Sequence, residues 1–137
     1  MKVPQFLSII TIGAHDLGSL RAFYRGWGWT EVDASTEGWC AFDVGGCLLS
    51  LYPVDLLGDE AAPDDKACEP GWRGITFAIN FADEESLRAA FDAALESGAG
   101  LVTGLTTRTW GGMSGYVADP EGNRWELATG GPNPVSY

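Results

Sequence analysis

Short apolar runs and helical stripes follow one another along the chain in the same order twice. Each half opens with a run rich in β-branched and aromatic residues, Phe6 to Gly13 and then Arg73 to Phe81, which predicts a strand. Each run leads through an acidic corner, His15-Asp16-Leu17 or Ala82-Asp83-Glu84-Glu85, into a helical pattern. The first helix is predicted over about Leu17 to Arg25, stopping at Gly26. The second, about Asp83 to Ser97, sets Leu87, Ala90, Phe91, Ala94 and Leu95 on one stripe and ends at Gly98.

Three short strand patterns follow each helix. They are Trp29 to Ala34, Trp39 to Val44 and Cys47 to Tyr52 in the first half, with Gly45-Gly46 as the hairpin turn between the last two. In the second half they are Leu101 to Thr107, Gly112 to Ala118 and Asn123 to Ala128. The echo extends to residue identity: Ile10-Thr11-Ile12 answers Ile75-Thr76-Phe77, and Ser19-Leu20-Arg21-Ala22-Phe23-Tyr24 answers Ser86-Leu87-Arg88-Ala89-Ala90-Phe91. The pattern is a duplicated βαβββ unit, an α+β fold whose curved mixed sheet encloses a concave cleft and carries helices on its convex side. The units are expected at 6–52 and 72–129, joined by an acidic linker at 53–71 and followed by a tail at 130–137, all within a single domain of 1–137.

Alternation then sorts side chains between faces. Ile10 and Ile12 should face the first helix and leave Ile9 and Thr11 in the concavity, as Ile75, Phe77 and Ile79 should face the second helix and leave Gly74, Thr76 and Ala78. Leu48, Ser50 and Tyr52 should line the concavity, and so should Arg124 and Glu126, while Trp125 and Leu127 turn inward.

Charge changes what the cleft can accept. The chain of 137 residues has a formal net charge of −11, which argues against nucleic acid and anionic membrane surfaces because the phosphate attraction that drives such binding becomes repulsion. A cationic ligand stays open. Much of the acid lies in the linker, at Asp55, Asp59, Glu60, Asp64, Asp65 and Glu69, where solvation is its expected role. No apolar run is long enough to span a membrane and no signal peptide opens the chain, so a cytoplasmic location is expected. Cys40, Cys47 and Cys68 have neither an even count nor C-x-x-C spacing, and are expected to be reduced thiols.

The closing phrase, Asp119-Pro120-Glu121-Gly122-Asn123-Arg124-Trp125-Glu126-Leu127, is a tight turn feeding a strand with one carboxylate among apolar neighbours. Burying that carboxylate is costly without a partner, so Glu126 is the leading candidate for chemistry. Arg124 or Arg108 can neutralise it; alternatively it receives a cationic group of a ligand, or acts as a general base. Trp39, Trp110, Tyr52, Met113 and Tyr116 are the candidates for an adaptable aromatic wall around it, with Trp72 a further aromatic opening the second unit. Trp27, Trp29 and Trp125 are expected to pack structurally.

The βαβββ duplication, the His-Asp-Leu corner before Ser-Leu-Arg-Ala-Phe-Tyr, and the Asp-Pro-Glu-Gly-Asn-Arg-Trp-Glu-Leu close together resemble the vicinal-oxygen-chelate superfamily of glyoxalase I, bleomycin-resistance proteins and extradiol dioxygenases. The stretch Thr109 to Tyr116 also resembles small bacterial glyoxalase-like members. The resemblance implies four metal-ligand positions, which fall on Ile9, Ser50, Gly74 and Glu126, and only Glu126 is a usual ligand type. The single histidine, His15, stands at a strand-to-helix corner and is expected to serve helix entry. A divalent metal cofactor is therefore not expected, and metal-dependent glyoxalase or dioxygenase activity is not either. The resemblance also implies a homodimer. The function expected is metal-independent binding of a small aromatic or cationic molecule by Trp39, Ser50, Tyr52, Arg108, Trp110, Met113, Tyr116, Arg124 and Glu126. The alternative is a lyase or isomerase-type enzyme using Glu126 as general acid/base on a small carbonyl or epoxide.

Overall fold

A computed structural model describes residues 2–66 and 68–131. The chain forms two compact units, Met1–Glu69 and Pro70–Tyr137. Each carries its own mixed sheet, of three strands in the first and four in the second, and the fold is α+β.

The first unit runs β1 (Ile9–Ala14), α1 (Leu17–Gly26), β2 (Cys40–Asp43), β3 (Leu48–Pro53) and α2 (Val54–Ala61). β3 is central, parallel to β1 and antiparallel to β2. Asp16 caps α1, its carboxylate accepting from the Ser19 amide at 3.0 Å. The helix buries Leu20, Phe23 and Tyr24, and the sheet contributes Ile12, Phe42, Leu49 and Leu51 to the core. Cys40 is buried there too, and burial pushes its thiol up to about 11. The β2–β3 hairpin turns at Gly45 and Gly46, both at positive φ, with Asp43 Oδ1 accepting from their amides.

Two segments differ from the sequence expectation. The strand expected over Trp29–Ala34 is reduced to a single bridge between Glu31 and Phe42. Its side chains are drawn to α1 instead: Trp29 stacks on Tyr24 at 5.3 Å, and Glu31 is held by both Arg21 and Arg25. Arg21 Nη1 also donates to the carbonyls of Thr36 and Glu37, at 2.6 and 3.0 Å, so the loop is fastened to the helix as well as to β2, where the Val32 amide donates to the Ala41 carbonyl at 2.9 Å. The stretch expected as a solvated linker opens with α2. Its apolar residues Val54, Leu56 and Leu57 interrupt the acidic run, and Val54 packs so closely on Gly13 that a Cβ there would lie 2.9 Å from Val54 Cγ2. Asp55 in the first turn complements the helix dipole.

The second unit runs β4 (Thr76–Phe81), α3 (Glu84–Glu96), β5 (Gly100–Thr107), β6 (Met113–Ala118) and β7 (Arg124–Thr129), in sheet order β4-β7-β6-β5. Asp83 caps α3 as Asp16 caps α1, accepting from the Ser86 amide at 2.8 Å, so the repeat seen in sequence is a repeat of local hydrogen bonding. Leu87, Phe91 and Ala94 of α3 are buried with Val117, Trp125 and Leu127 of the sheet. Trp125 packs on Phe77 with ring centres 5.0 Å apart. Ile75, expected on the helix face, precedes β4 and is 58% exposed. Among the described residues no helix is long and apolar enough to cross a membrane.

Candidate functional site

The turn that identifies the last strand is built by Asp119. Its Oδ1 accepts from the amides of Glu121 and Asn123 at 2.9 and 3.0 Å, and its Oδ2 from the Asn123 side chain at 2.9 Å. This Asx-type knot is buried and delivers β7 in register between β4 and β6. Glu126 consequently stands opposite Ala78 of β4 and Tyr116 of β6.

The two faces of this sheet are distinguished at Gly115. A Cβ there would lie 2.7 Å from the Phe91 ring, so Gly115 looks toward α3. Ser114 and Tyr116, its neighbours in β6, look the other way, with Glu126 and Arg124. On that open face the Tyr116 hydroxyl donates to Glu126 Oε2 at 3.1 Å. Burial raises the Tyr116 phenol above its ordinary value and the Glu126 hydrogen bond and charge raise it further, against a smaller opposing effect of Arg108. The phenol is thus a proton donor at neutral pH.

Neither candidate arginine pairs with the carboxylate. Arg124 Nη1 turns back to the Gly122 carbonyl at 2.5 Å. Arg108 directs Nε to the Ser114 hydroxyl at 2.7 Å and Nη2 to the Ser114 carbonyl at 3.2 Å. Among the described residues Glu126 makes no ion pair, and Tyr116 is its hydrogen-bond partner. A half-buried carboxylate is left facing a small alanine on one side and a phenol on the other.

The structure thus gathers Arg108, Tyr116, Arg124 and Glu126 on one face. It adds Ser114, which sequence reasoning missed although it lies two residues before Tyr116 and so shares its face by alternation. Met113 is placed apart from them: it shares the parity of Gly115 and Val117 and is buried on the α3 side. Trp110, 48% exposed, lies in the β5–β6 turn with its ring against Gly112 and Gly131, so covering that turn is its local role. Trp72 is exposed, its indole donating to the Ile75 carbonyl at 3.0 Å.

In the first unit, Ser50 and Tyr52 share one face of β3, and Trp39 immediately precedes β2. Ser50 is fully buried and its hydroxyl is 2.6 Å from that of Thr11, its partner in β1.

The strand registers also correct the third metal-ligand position, Gly74. Ile9 opens β1 and pairs with Leu48, the first residue of β3; Thr76 opens β4 and pairs with Arg124, the first residue of β7. The counterpart of Ile9 is therefore Thr76, with Gly74 two residues outside the strand. The resulting set of Ile9, Ser50, Thr76 and Glu126 does not fit a divalent ion. Isoleucine has no donor, and the neutral hydroxyls of Ser50 and Thr76 are weak ligands beside a single carboxylate. Among the described residues no group of three or more His, Cys, Asp or Glu side chains is placed to hold a metal.

The family model described as the glyoxalase/bleomycin resistance protein/dioxygenase superfamily matches residues 7–127. The crystal structure of a glyoxalase-related enzyme from Fulvimarina pelagi superposes with a TM-score of 0.81 at 28% identity, covering 96% of this chain and 91% of that one. A lactoylglutathione lyase from Agrobacterium tumefaciens superposes with a TM-score of 0.71 at 21% identity, covering 93% and 96% of the two chains. The uncharacterized protein Mb0911c of Mycobacterium bovis is 49% identical over 57 residues, 42% of this chain and 36% of that relative; the match spans about a third of the relative's length.

Proposed function

Because the chain belongs to the glyoxalase/bleomycin resistance protein/dioxygenase superfamily, and its Glu126 lacks a cationic partner among the described residues, we propose that it binds a small aromatic or cationic molecule on the open face of the second unit without a metal. The carboxylate supplies the recognition. A half-buried negative charge with one neutral hydrogen bond gains most from a cationic group that replaces its lost water. The Tyr116 ring beside it adds an aromatic surface for a planar or quaternary ligand. Ile9 and Ser50 support the metal-free reading, since the isoleucine side chain has no donor atom and a neutral serine hydroxyl is a weak ligand.

The Tyr116–Glu126 hydrogen bond also supports the enzyme reading. In it, Glu126 removes a proton from a small carbonyl or epoxide substrate while the raised Tyr116 phenol steadies the carboxylate and returns a proton.

A thermal-shift titration with berberine and acriflavine as planar cations, 1-naphthalenesulfonate as planar anion, and Zn²⁺, Ni²⁺ and Mn²⁺ separates these readings. Saturation at about 100 times Kd stabilises by roughly 2.7 kcal/mol, a rise easily read in Tm. Stabilisation by the cations that is lost in Glu126→Gln is the expected result. Stabilisation by a metal at micromolar concentration, or cation binding retained by Glu126→Gln, would sink the proposal. Turnover of methylglyoxal or styrene oxide abolished by the same substitution would establish the enzyme reading.

A further inference from the structure

A second charge without an ion-pair partner among the described residues shares the face of Glu126. Arg108 is held there by Ser114, with Nε donating to the hydroxyl at 2.7 Å and Nη2 to the carbonyl at 3.2 Å. Ser114 is buried, so the guanidinium rests on a fixed anchor. Its Nη1 donates no hydrogen bond to any described residue. In a chain where 19 acids face 8 bases, a guanidinium without a carboxylate is unusual: Arg21, Arg25 and Arg88 all pair with glutamates.

Register fixes the spacing of the two charges. Tyr116 of β6 stands opposite Glu126 of β7, and Ser114 stands opposite Ala128. Ser114 and Glu126 are therefore diagonal neighbours on one face, about 7–8 Å apart. A neutral partner keeps each charge from the other: Tyr116 holds Glu126 at 3.1 Å, and Ser114 holds Arg108. Burial raises the Tyr116 phenol, Glu126 raises it further and Arg108 opposes, so both charges reach it. A purely cationic ligand satisfies Glu126 and is repelled by Arg108. One that also carries an anion at its far end satisfies both.

We propose that this face takes a zwitterion, its cationic group on Glu126, its carboxylate on Arg108 Nη1, and a spacer of about one aromatic ring crossing Tyr116. The inference rests on the reading of Glu126 as the receiver of a cation and adds the second charge to it. Arg124 also lies on this face, but it stands at the start of β7, two residues before Glu126, and turns its Nη1 back to the Gly122 carbonyl.

Isothermal titration calorimetry on the full chain at pH 7 and 50 mM NaCl is the test. The probes are 4-(aminomethyl)benzoate, its methyl ester, which keeps the ammonium and loses the anion, and berberine as the reference cation. The zwitterion should bind at least tenfold tighter than the ester. That ratio should fall below twofold in Arg108→Gln and stay within twofold of the parent in Arg88→Gln, which removes an equal charge from α3. Circular dichroism checks that each variant folds, and the ratio in the parent is decisive even where Arg108→Gln does not. An ester that binds as tightly as the zwitterion, with both lost in Glu126→Gln, overturns this inference and leaves the cation reading standing. So does a zwitterion that fails to bind where berberine still binds through Glu126. Binding of all three that survives Glu126→Gln, or no binding of any, overturns both readings. A preference for the zwitterion lost in Arg124→Gln and kept in Arg108→Gln overturns the role of Arg108.

Discussion

Gly115→Ala probes the contact that decides which face of the second sheet is open. Gly115 lies in β6 between Ser114 and Tyr116, and α3 rests on it. An added methyl would stand 2.7 Å from Phe91 Cε2, 3.0 Å from the Thr103 carbonyl oxygen and 3.1 Å from Leu105 Cδ2. Phe91 is buried, and the carbonyl belongs to the neighbouring strand, so relief requires the helix or the sheet to shift. Overpacking of this kind costs about 1–3 kcal/mol, against roughly 0.5–1 kcal/mol recovered by replacing a strand glycine, which leaves a net loss of about 1–2 kcal/mol. For a chain of this size the midpoint should fall by roughly 3–8 °C. Urea unfolding followed by far-ultraviolet circular dichroism reads the change, with Phe91→Leu as the second arm of a double-mutant cycle. Removing the ring edge should shrink the Gly115→Ala penalty by at least about 0.5 kcal/mol. A Gly115→Ala protein as stable as the parent, or strict additivity with Phe91→Leu, would refute this packing.

Two further predictions concern the helices. Arg21→Ala removes donors to Glu31 and to the carbonyls of Thr36 and Glu37, and should cost about 2–4 kcal/mol by urea unfolding, because a largely buried carboxylate is left with Arg25 alone. Burial would raise the Glu31 carboxyl, but Arg21 and Arg25 outweigh it and hold it below its ordinary value; Arg21→Lys should recover only part of the loss because its ammonium cannot span the three acceptors. Asp16 and Asp83 are held below 3.8 by the amide and hydroxyl of the serine three residues on. Their capping therefore stabilises fully above pH 3.8 and fades as pH falls through the lower folded value. Asp16→Ala and Asp83→Ala should lower Tm at pH 7, with the difference from the parent vanishing on acid titration; a difference that persists at pH 2 would rule out carboxylate capping.

What the chain determined by itself is short in range. The aspartate caps lie three residues from the amides they serve, and the Gly-Gly hairpin and the Asp119 turn are complete within five residues. The period-two pattern of Arg124–Leu127 already separates Glu126 from Trp125. These signals place both long helices, the duplicated unit and the candidate carboxylate, because each depends on neighbours the sequence itself supplies.

The tertiary structure decided whatever depends on a partner distant in sequence. The strand pattern at Trp29–Ala34 yields because Tyr24, Arg21 and Arg25 of α1 engage Trp29 and Glu31 more fully than a sheet ladder would. Val54–Ala61 becomes helical because Gly13 leaves room for Val54, a fit invisible in the acidic composition. Met113 and Ser114 are adjacent in sequence and both buried, yet only the seat of Phe91 on Gly115 determines that Met113 lies on the α3 side and Ser114 on the face of Tyr116 and Glu126. Glu126 is paired with a tyrosine and neither arginine because strand register sets Tyr116 beside it, while Arg108 and Arg124 find acceptors nearer their own turns.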